Sequence, residues 1–198
     1  MSQDLLLATR NQGKLHELTQ LLAGTPVKVL SLADAGYPHE VEEKGETFAA
    51  NAAAKAVEYS RLTDALTLAD DSGLEVTALG GAPGVRSARY GAPSLSDEDR
   101  CRRLLKELEK VPWDDRKARF ACVLALARAG SLIRTFQGTV EGRIAFEPRG
   151  AGGFGYDPIF YYPPLARTFG ELSRPEKDLV SHRGHALRAF RDYIDRTL

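Results

Sequence analysis

At 198 residues with 43% apolar content, and with 27 basic against 27 acidic side chains, the chain is long enough for a substantial core and carries no net charge. That balance excludes the global field of a general nucleic-acid or membrane-surface binder, so an anionic ligand has to be held by local charge. The two cysteines, Cys101 and Cys122, fall at apolar positions of periodic segments, which predicts buried, reduced thiols, and the apolar runs are too short for a signal peptide or a spanning helix.

Asp4 to Ala8 reads as a strand, and from Lys14 the spacing of Leu15, Leu18, Leu21 and Leu22 predicts a helix. The intervening Thr9-Arg10-Asn11-Gln12-Gly13-Lys14 brings backbone N–H groups, the positive end of a helix dipole and an ammonium to one point, which is how proteins hold phosphate. A capped helix with a solvated lysine accounts for the same residues. It is not a Walker loop, because Ala8 stands where the leading glycine belongs and Leu15 replaces the Ser or Thr that would touch magnesium. Val27 to Leu32 reads as a second strand, followed by a loop with Glu40, Glu42, Glu43, Gly45 and Glu46, acids that also suit the dipole of the next helix. That helix, Glu46 to about Arg61, is alanine-rich and so permits close approach of another element. Lys55 shares a polar stripe with Thr47, Asn51 and Glu58, as a second phosphate ligand or as part of a wet face.

A short strand, Leu66 to Ala69, is expected to deliver Asp70 and Asp71 into a Ser72-Gly73 turn with both carboxylates accessible, a metal or base site; Asp, Ser and Gly also suit an ordinary turn. Gly80, Gly81, Pro83 and Gly84, then Arg86 and Arg89, follow, and this bracket of acids and bases suits a polyphosphate with its metal. Ser96 to Lys110 reads as a helix with a capping Ser96 and a buried stripe of Cys101, Leu104, Leu105 and Leu108, and nothing in it asks for chemistry. Arg119 to Ala127 is apolar on both faces, a central strand, with Leu132 to Phe136 as its hairpin partner and extended character as far as Ile144. The glycine-rich loop from Gly150 to Pro158 sets Phe154, Gly155, Tyr156 and Asp157 together, for stacking on a planar heterocycle or as a packed corner. Ser173 to Glu176 starts a helix, and the donors Lys177, His182 and Arg183 that follow match a carbonyl or phosphate acceptor better than His182 and His185 match a metal.

The runs ATRNQGK, LADDSGLEV, LGGAPGVRSARY, GGFGYDPIF and SHRG, in this order and over nearly the full length, resemble the inosine triphosphate pyrophosphatase family, also called dITP/XTP pyrophosphatases. The resemblance implies an α/β fold, a two-lobed single domain over residues 1–198 with a mixed, elongated central sheet flanked by helices and the active site in the cleft between the lobes. It implies a homodimer in which Mg2+ supports hydrolysis of non-standard purine nucleoside triphosphates (ITP, dITP, XTP) to the monophosphate and pyrophosphate; the cytoplasmic location and the absence of a nucleic-acid or membrane partner are expected from the reduced cysteines, the short apolar runs and the balanced charge. Under it, Thr9, Arg10, Asn11, Gln12, Gly13 and Lys14 form the triphosphate cradle, although Arg10 stands where many relatives have a small residue. Asp71 is the catalytic acid and a metal ligand, Ser72 a substrate contact beside it, and Glu42 the second metal ligand, with Glu43 adjacent leaving the register open. Phe154, Gly155, Tyr156, Asp157, Lys177, His182 and Arg183 form the base pocket. A pyrophosphatase for modified pyrimidine or methylated nucleotides, and a non-catalytic nucleotide sensor, are the alternatives; Asp71 and Glu42 together speak against the sensor.

Overall fold

A computed structural model describes residues 3–37 and 41–197, so Glu40 of the acidic loop lies outside the described residues. Among them, β1 (Gln3–Ala8), β2 (Val27–Ser31), β3 (Leu66–Val76), β4 (Lys117–Arg128), β5 (Ser131–Ile144), β6 (Phe160–Tyr162) and β7 (Arg167–Thr168) form one seven-stranded sheet in the order β2-β1-β3-β4-β5-β6-β7. β1 runs parallel to β2 and β3, whereas β6 is antiparallel to β5 and β7, so the sheet is mixed as expected. The helices are α1 (Gln12–Leu21), α2 (Phe48–Ser60), α3 (Asp97–Glu107), α4 (Arg174–Val180) and α5 (His182–Thr197), and none is long and apolar enough to cross a membrane.

Local chemistry sets these boundaries. Asn11, Thr47 and Ser96 each accept the backbone N–H three residues on, capping α1, α2 and α3, and Ser173 with Glu176 forms a reciprocal capping box on α4. β4 and β5 are joined by Ala129 and Gly130 alone, whose φ values of 49° and 77° are the pair of left-handed conformations that a two-residue hairpin turn requires.

The chain divides into two compact units. The first comprises Met1–Asp71, Cys122–Gly138 and Arg183–Leu198, and its core draws Leu5 and Leu7 from β1, Leu66 and Leu68 from β3, Cys122, Leu124 and Leu126 from β4, and Leu187, Phe190 and Ile194 from α5. α2 contacts β1, and its Ala52 and Ala56 are wholly buried, in keeping with the close approach that an alanine-rich helix allows. The second unit, Ser72–Ala121 and Thr139–His182, has a separate core in which Leu74, Val76, Phe120, Ile144, Phe160 and Phe169 meet Cys101, Leu104 and Leu108 of α3.

The turn expected at Ser72-Gly73 is absent, because β3 continues through both residues to Val76. Gly73 serves close packing and not chain reversal: a Cβ there would lie 2.4 Å from Ser87 Oγ and 2.6 Å from the Gly84 carbonyl oxygen. The same Ser87 hydroxyl accepts the Leu74 N–H at 2.9 Å, so the segment that crosses Gly73 also helps to satisfy the strand. Gly73→Ala is therefore expected to destabilise the protein by about 1–3 kcal/mol through overpacking. Equilibrium urea unfolding reads this as a lowered midpoint with an unchanged slope, and an unshifted midpoint would refute the packing role.

Candidate active site

The pleat of β3 sends Asp70 and Asp71 to opposite faces of the sheet, and neither is accessible as a turn would have left it: they are 1% and 4% exposed. Asp70 lies on the face of Leu66 and Leu68. There Lys14 Nζ stands 2.5 Å from Oδ1, Arg183 Nε 2.8 Å from Oδ2, and the Cys122 thiol donates to Oδ2 at 3.3 Å. Burial opposes ionisation of Asp70, but the Arg183 guanidinium and the Lys14 ammonium outweigh it and hold the carboxyl well below the usual range. Arg183 pairs in turn with Glu17, which completes a buried row of alternating charge: Lys14, Asp70, Arg183, Glu17.

The Thr9 to Lys14 turn opens α1. Asn11 Oδ1 accepts the Lys14 N–H at 3.0 Å and Thr9 Oγ1 accepts the Asn11 N–H at 3.3 Å, while Gln12 and Gly13 supply the first helical turn. Arg10 reaches sideways to donate to the Tyr37 carbonyl oxygen at 3.0 Å. The Asn11 side chain thus shapes the turn as a cap, and the N–H groups of Gln12 and Gly13, in the first helical turn beside Lys14, point where a helix amino end can accept an anion.

On the other face of β3, Lys55 from α2 gathers the acids. Its ammonium is 2.6 Å from Glu43 Oε1 and 3.6 Å from Asp71 Oδ1, and it donates to the Asp70 carbonyl oxygen at 2.7 Å. Burial alone would lower the Lys55 pKa, but Asp71, Glu43 and Asp70 reverse this and raise it. Asp71 is raised chiefly by burial, against the pull of Lys55 and Lys14, with Glu43 pushing in the same direction as burial. Glu42 is exposed and paired with Lys44 at 2.9 Å, so of the two adjacent glutamates it is Glu43 that turns toward Lys55. Asn51, passed over in the sequence except as part of the α2 stripe, accepts the Gly45 N–H at 2.7 Å and so ties the glutamate loop to α2. Its position one helical turn before Lys55 was the available signal.

Asp71 Oδ2 is buried without a partner in full hydrogen-bond geometry; the Asn51 amide acts on the carboxylate but its own buried Nδ2 is likewise not fully bonded. No group of three His, Cys, Asp or Glu side chains among the described residues could hold a metal by itself. Two carboxylates, Glu43 and Asp71, fit a hard cation that completes its shell with phosphate oxygens and water.

In the second unit, the loop around Phe154 is a braced corner. Asp157 accepts the Phe154 N–H at 2.8 Å and pairs with Lys177 at 2.5 Å, both side chains being buried, and the Lys177 ammonium lies 4.8 Å from the centre of the Phe154 ring. Gly153 takes φ 73°, and a Cβ there would fall 2.0 Å from Asp157 Oδ2, so only glycine lets the carboxylate fold back under the loop. Tyr156 is buried with its hydroxyl donating to the Ser87 carbonyl oxygen at 2.9 Å, a packing role, whereas Phe154 keeps a partly exposed ring. His182 stacks on Phe120, with ring centres 4.6 Å apart and planes within 11°. Ser72, next along β3 from Asp71, is partly exposed. Arg183, expected in a base pocket with these residues, is engaged by Asp70 and Glu17 of the first unit.

The model of the Ham1 family matches residues 5–193. The chain belongs to the Ham1 family. This Ham1 protein is 46% identical over 193 residues to a dITP/XTP pyrophosphatase of Bacillus licheniformis, with 98% of each chain covered, and 48% identical over 190 residues to one of Geobacter sulfurreducens, with 96% of each covered. Among solved structures, a HAM1 protein from Coxiella burnetii matches it with a TM-score of 0.89 at 41% identity, over 98% of this chain and 99% of that one.

The buried charge row generates a stability prediction. Asp70→Asn leaves Arg183 and Lys14 without their shared carboxylate and is expected to cost about 3–5 kcal/mol. Because the Asp70 carboxyl is depressed in the folded state, its contribution is complete above the ordinary aspartate range and drains away as the pH falls through the folded value. Denaturation of both proteins from neutral to strongly acid pH should show the gap between them closing; a constant gap would refute the assignment.

Proposed function

We propose that this chain is a nucleoside triphosphate pyrophosphatase that hydrolyses non-standard purine nucleoside triphosphates, ITP, dITP and XTP, to the nucleoside monophosphate and pyrophosphate with Mg2+ as cofactor. The observation that carries the reading is the buried Asp71 carboxylate, one oxygen of it without a fully formed hydrogen bond, set among Lys55, Glu43 and the start of α1, in a chain nearly half identical to proteins named for this activity.

A triphosphate resists attack by neutral water because it is highly anionic, so hydrolysis needs charge neutralisation, alignment and removal of a proton. The N–H groups of Gln12 and Gly13 in the Thr9 to Lys14 turn and the Lys14 ammonium take the phosphate oxygens. Asp70 holds that ammonium from below, which fixes where Lys14 presents its charge. Asp71 accepts the proton of the attacking water at its carboxylate; a carboxyl raised above the ordinary range is a better base near neutrality than an unperturbed one. Lys55 keeps Glu43 and Asp71 close despite their like charge. Magnesium held by Glu43 and Asp71 would supply further neutralisation of the phosphates and activation of water.

Base selection falls to the second unit. Phe154 offers a ring face, and Lys177 and His182 can donate to the oxygen at C6 of hypoxanthine or xanthine but cannot accept from the amine of adenine. A buried donor left unpaired discriminates more strongly than apolar shape does. Arg183 is assigned to the charge row, as a positioning residue for Asp70, and base reading to Phe154, Lys177 and His182. Gly155, Tyr156 and Asp157 shape the loop that carries Phe154, and Ser72 stays a substrate contact. A cytoplasmic homodimer belongs to the same reading; the two buried free thiols suit a reducing compartment.

Asp71→Asn is expected to fold and to bind ITP while its turnover falls by about 10²- to 10⁴-fold. The assay resolves pyrophosphate from orthophosphate: the wild type should give inosine monophosphate and pyrophosphate. Wild-type turnover in the variant would remove Asp71 from the chemistry, and orthophosphate as the product would place cleavage at another bond.

A further inference from the structure

Helix α3 carries no group assigned to the reaction, yet two of its side chains grip the loop that presents Phe154. The Gly155 N–H donates to Asp97 Oδ2 at 2.8 Å, and the Cys101 thiol donates to the Gly155 carbonyl oxygen at 3.4 Å. Asp97 and Cys101 are four residues apart and so lie on one helical face, one turn above the other. Asp97 is itself fixed, its second oxygen lying 3.1 Å from Arg100 NH1, and the nearly buried Arg100 also donates to the Pro93 carbonyl oxygen at 3.1 Å. Burial first, then the nearby carboxylates of Asp97, Asp157 and Glu98, push the Cys101 thiol up to about 12, so it stays a protonated donor. Gly155 sits at φ 61°, between Phe154 and the buried Tyr156, and a backbone in that region needs external bonds to hold it in one conformation.

We propose that Asp97 and Cys101 are positioning residues for base selection: by holding both polar groups of Gly155 they fix the direction in which Phe154 presents its ring. The inference rests on the reading of Phe154 as part of base recognition. Asp157 fixes the Phe154 N–H from within the loop, and α3 fixes the next residue from outside it, so the two braces act on consecutive residues.

The test compares Asp97→Ala, Asp97→Asn, Glu98→Ala and Phe154→Ala with the wild type. Two readouts are used, amide hydrogen exchange over residues 153–157 and kcat/KM for ITP against ATP. Glu98 is the control, since it also places a carboxylate in the first turn of α3 but pairs with Arg102 on the surface. Asp97→Ala should speed exchange in the loop and lower the ITP-to-ATP ratio roughly ten-fold, the value of a charge-assisted hydrogen bond. The loss should appear mainly as a raised KM for ITP. Asp97→Asn, which keeps a carbonyl oxygen for the Gly155 N–H, should recover most of the ratio, and Glu98→Ala should leave both readouts unchanged. Unchanged exchange in Asp97→Ala overturns the clamp. Faster exchange with an unchanged ratio, while Phe154→Ala lowers the ratio, overturns the role in selection and leaves base reading by Phe154 intact. An unchanged ratio in Phe154→Ala overturns that base reading and the inference with it.

Discussion

A negative charge buried in the middle of a strand is the constraint around which the first unit is built. Asp70 sits where the alternation of β3 calls for an apolar side chain, between Leu68 and the continuation of the same face. An isolated carboxylate there would be prohibitive, so cations have to arrive from elsewhere in the fold. They come from α1 and α5, elements far apart in the chain, and their arrival at one carboxylate locates the amino end of α1 against the strand. The Thr9 to Lys14 turn is therefore held in place by an ion pair beneath it.

The two adjacent aspartates illustrate how environment separates identical side chains. Asp70, matched by two cations, is held ionised; Asp71, more weakly compensated and close to another carboxylate, is pushed the other way. Divergence of neighbouring acids is the pattern that makes the less compensated one the candidate for chemistry. Here the pleat of a single strand produces it, because one residue along the chain is enough to change faces.

Much of this was legible in the sequence, and the failures have physical reasons. Leucine spacing revealed α1 and apolarity on both faces revealed β4, because those signals are local and periodic. The Ser72-Gly73 turn was misread because composition describes what a glycine permits, whereas Ser87, fourteen residues on, decides that this one admits a neighbour. Lys14 could be picked out as a charged residue at an element end, whereas Asp71 was picked out for a strand end that β3 does not have. Which of Glu42 and Glu43 faces Lys55 could not be read, since adjacent residues differ only in the direction they point. Arg183 was identified as functional but its partner was not, because Asp70 lies 113 positions away. Asp97 drew no notice for the same reason: a first-turn acid explains itself as a dipole partner until Gly155, 58 residues later, is seen to use it.

The interleaving of the two units has a consequence for biosynthesis. Three leaves of the first core come earlier in the chain, but Leu187, Phe190 and Ile194 belong to α5 and leave the ribosome after all of them. Until then Leu5, Leu7 and Leu68 lack their covering layer, and Asp70 lacks Arg183. The second unit ends at His182 and has its whole core synthesised by that point. A nascent chain thus carries an open, partly charged apolar surface until α5 has emerged, and the helix that closes it also delivers the guanidinium that neutralises it.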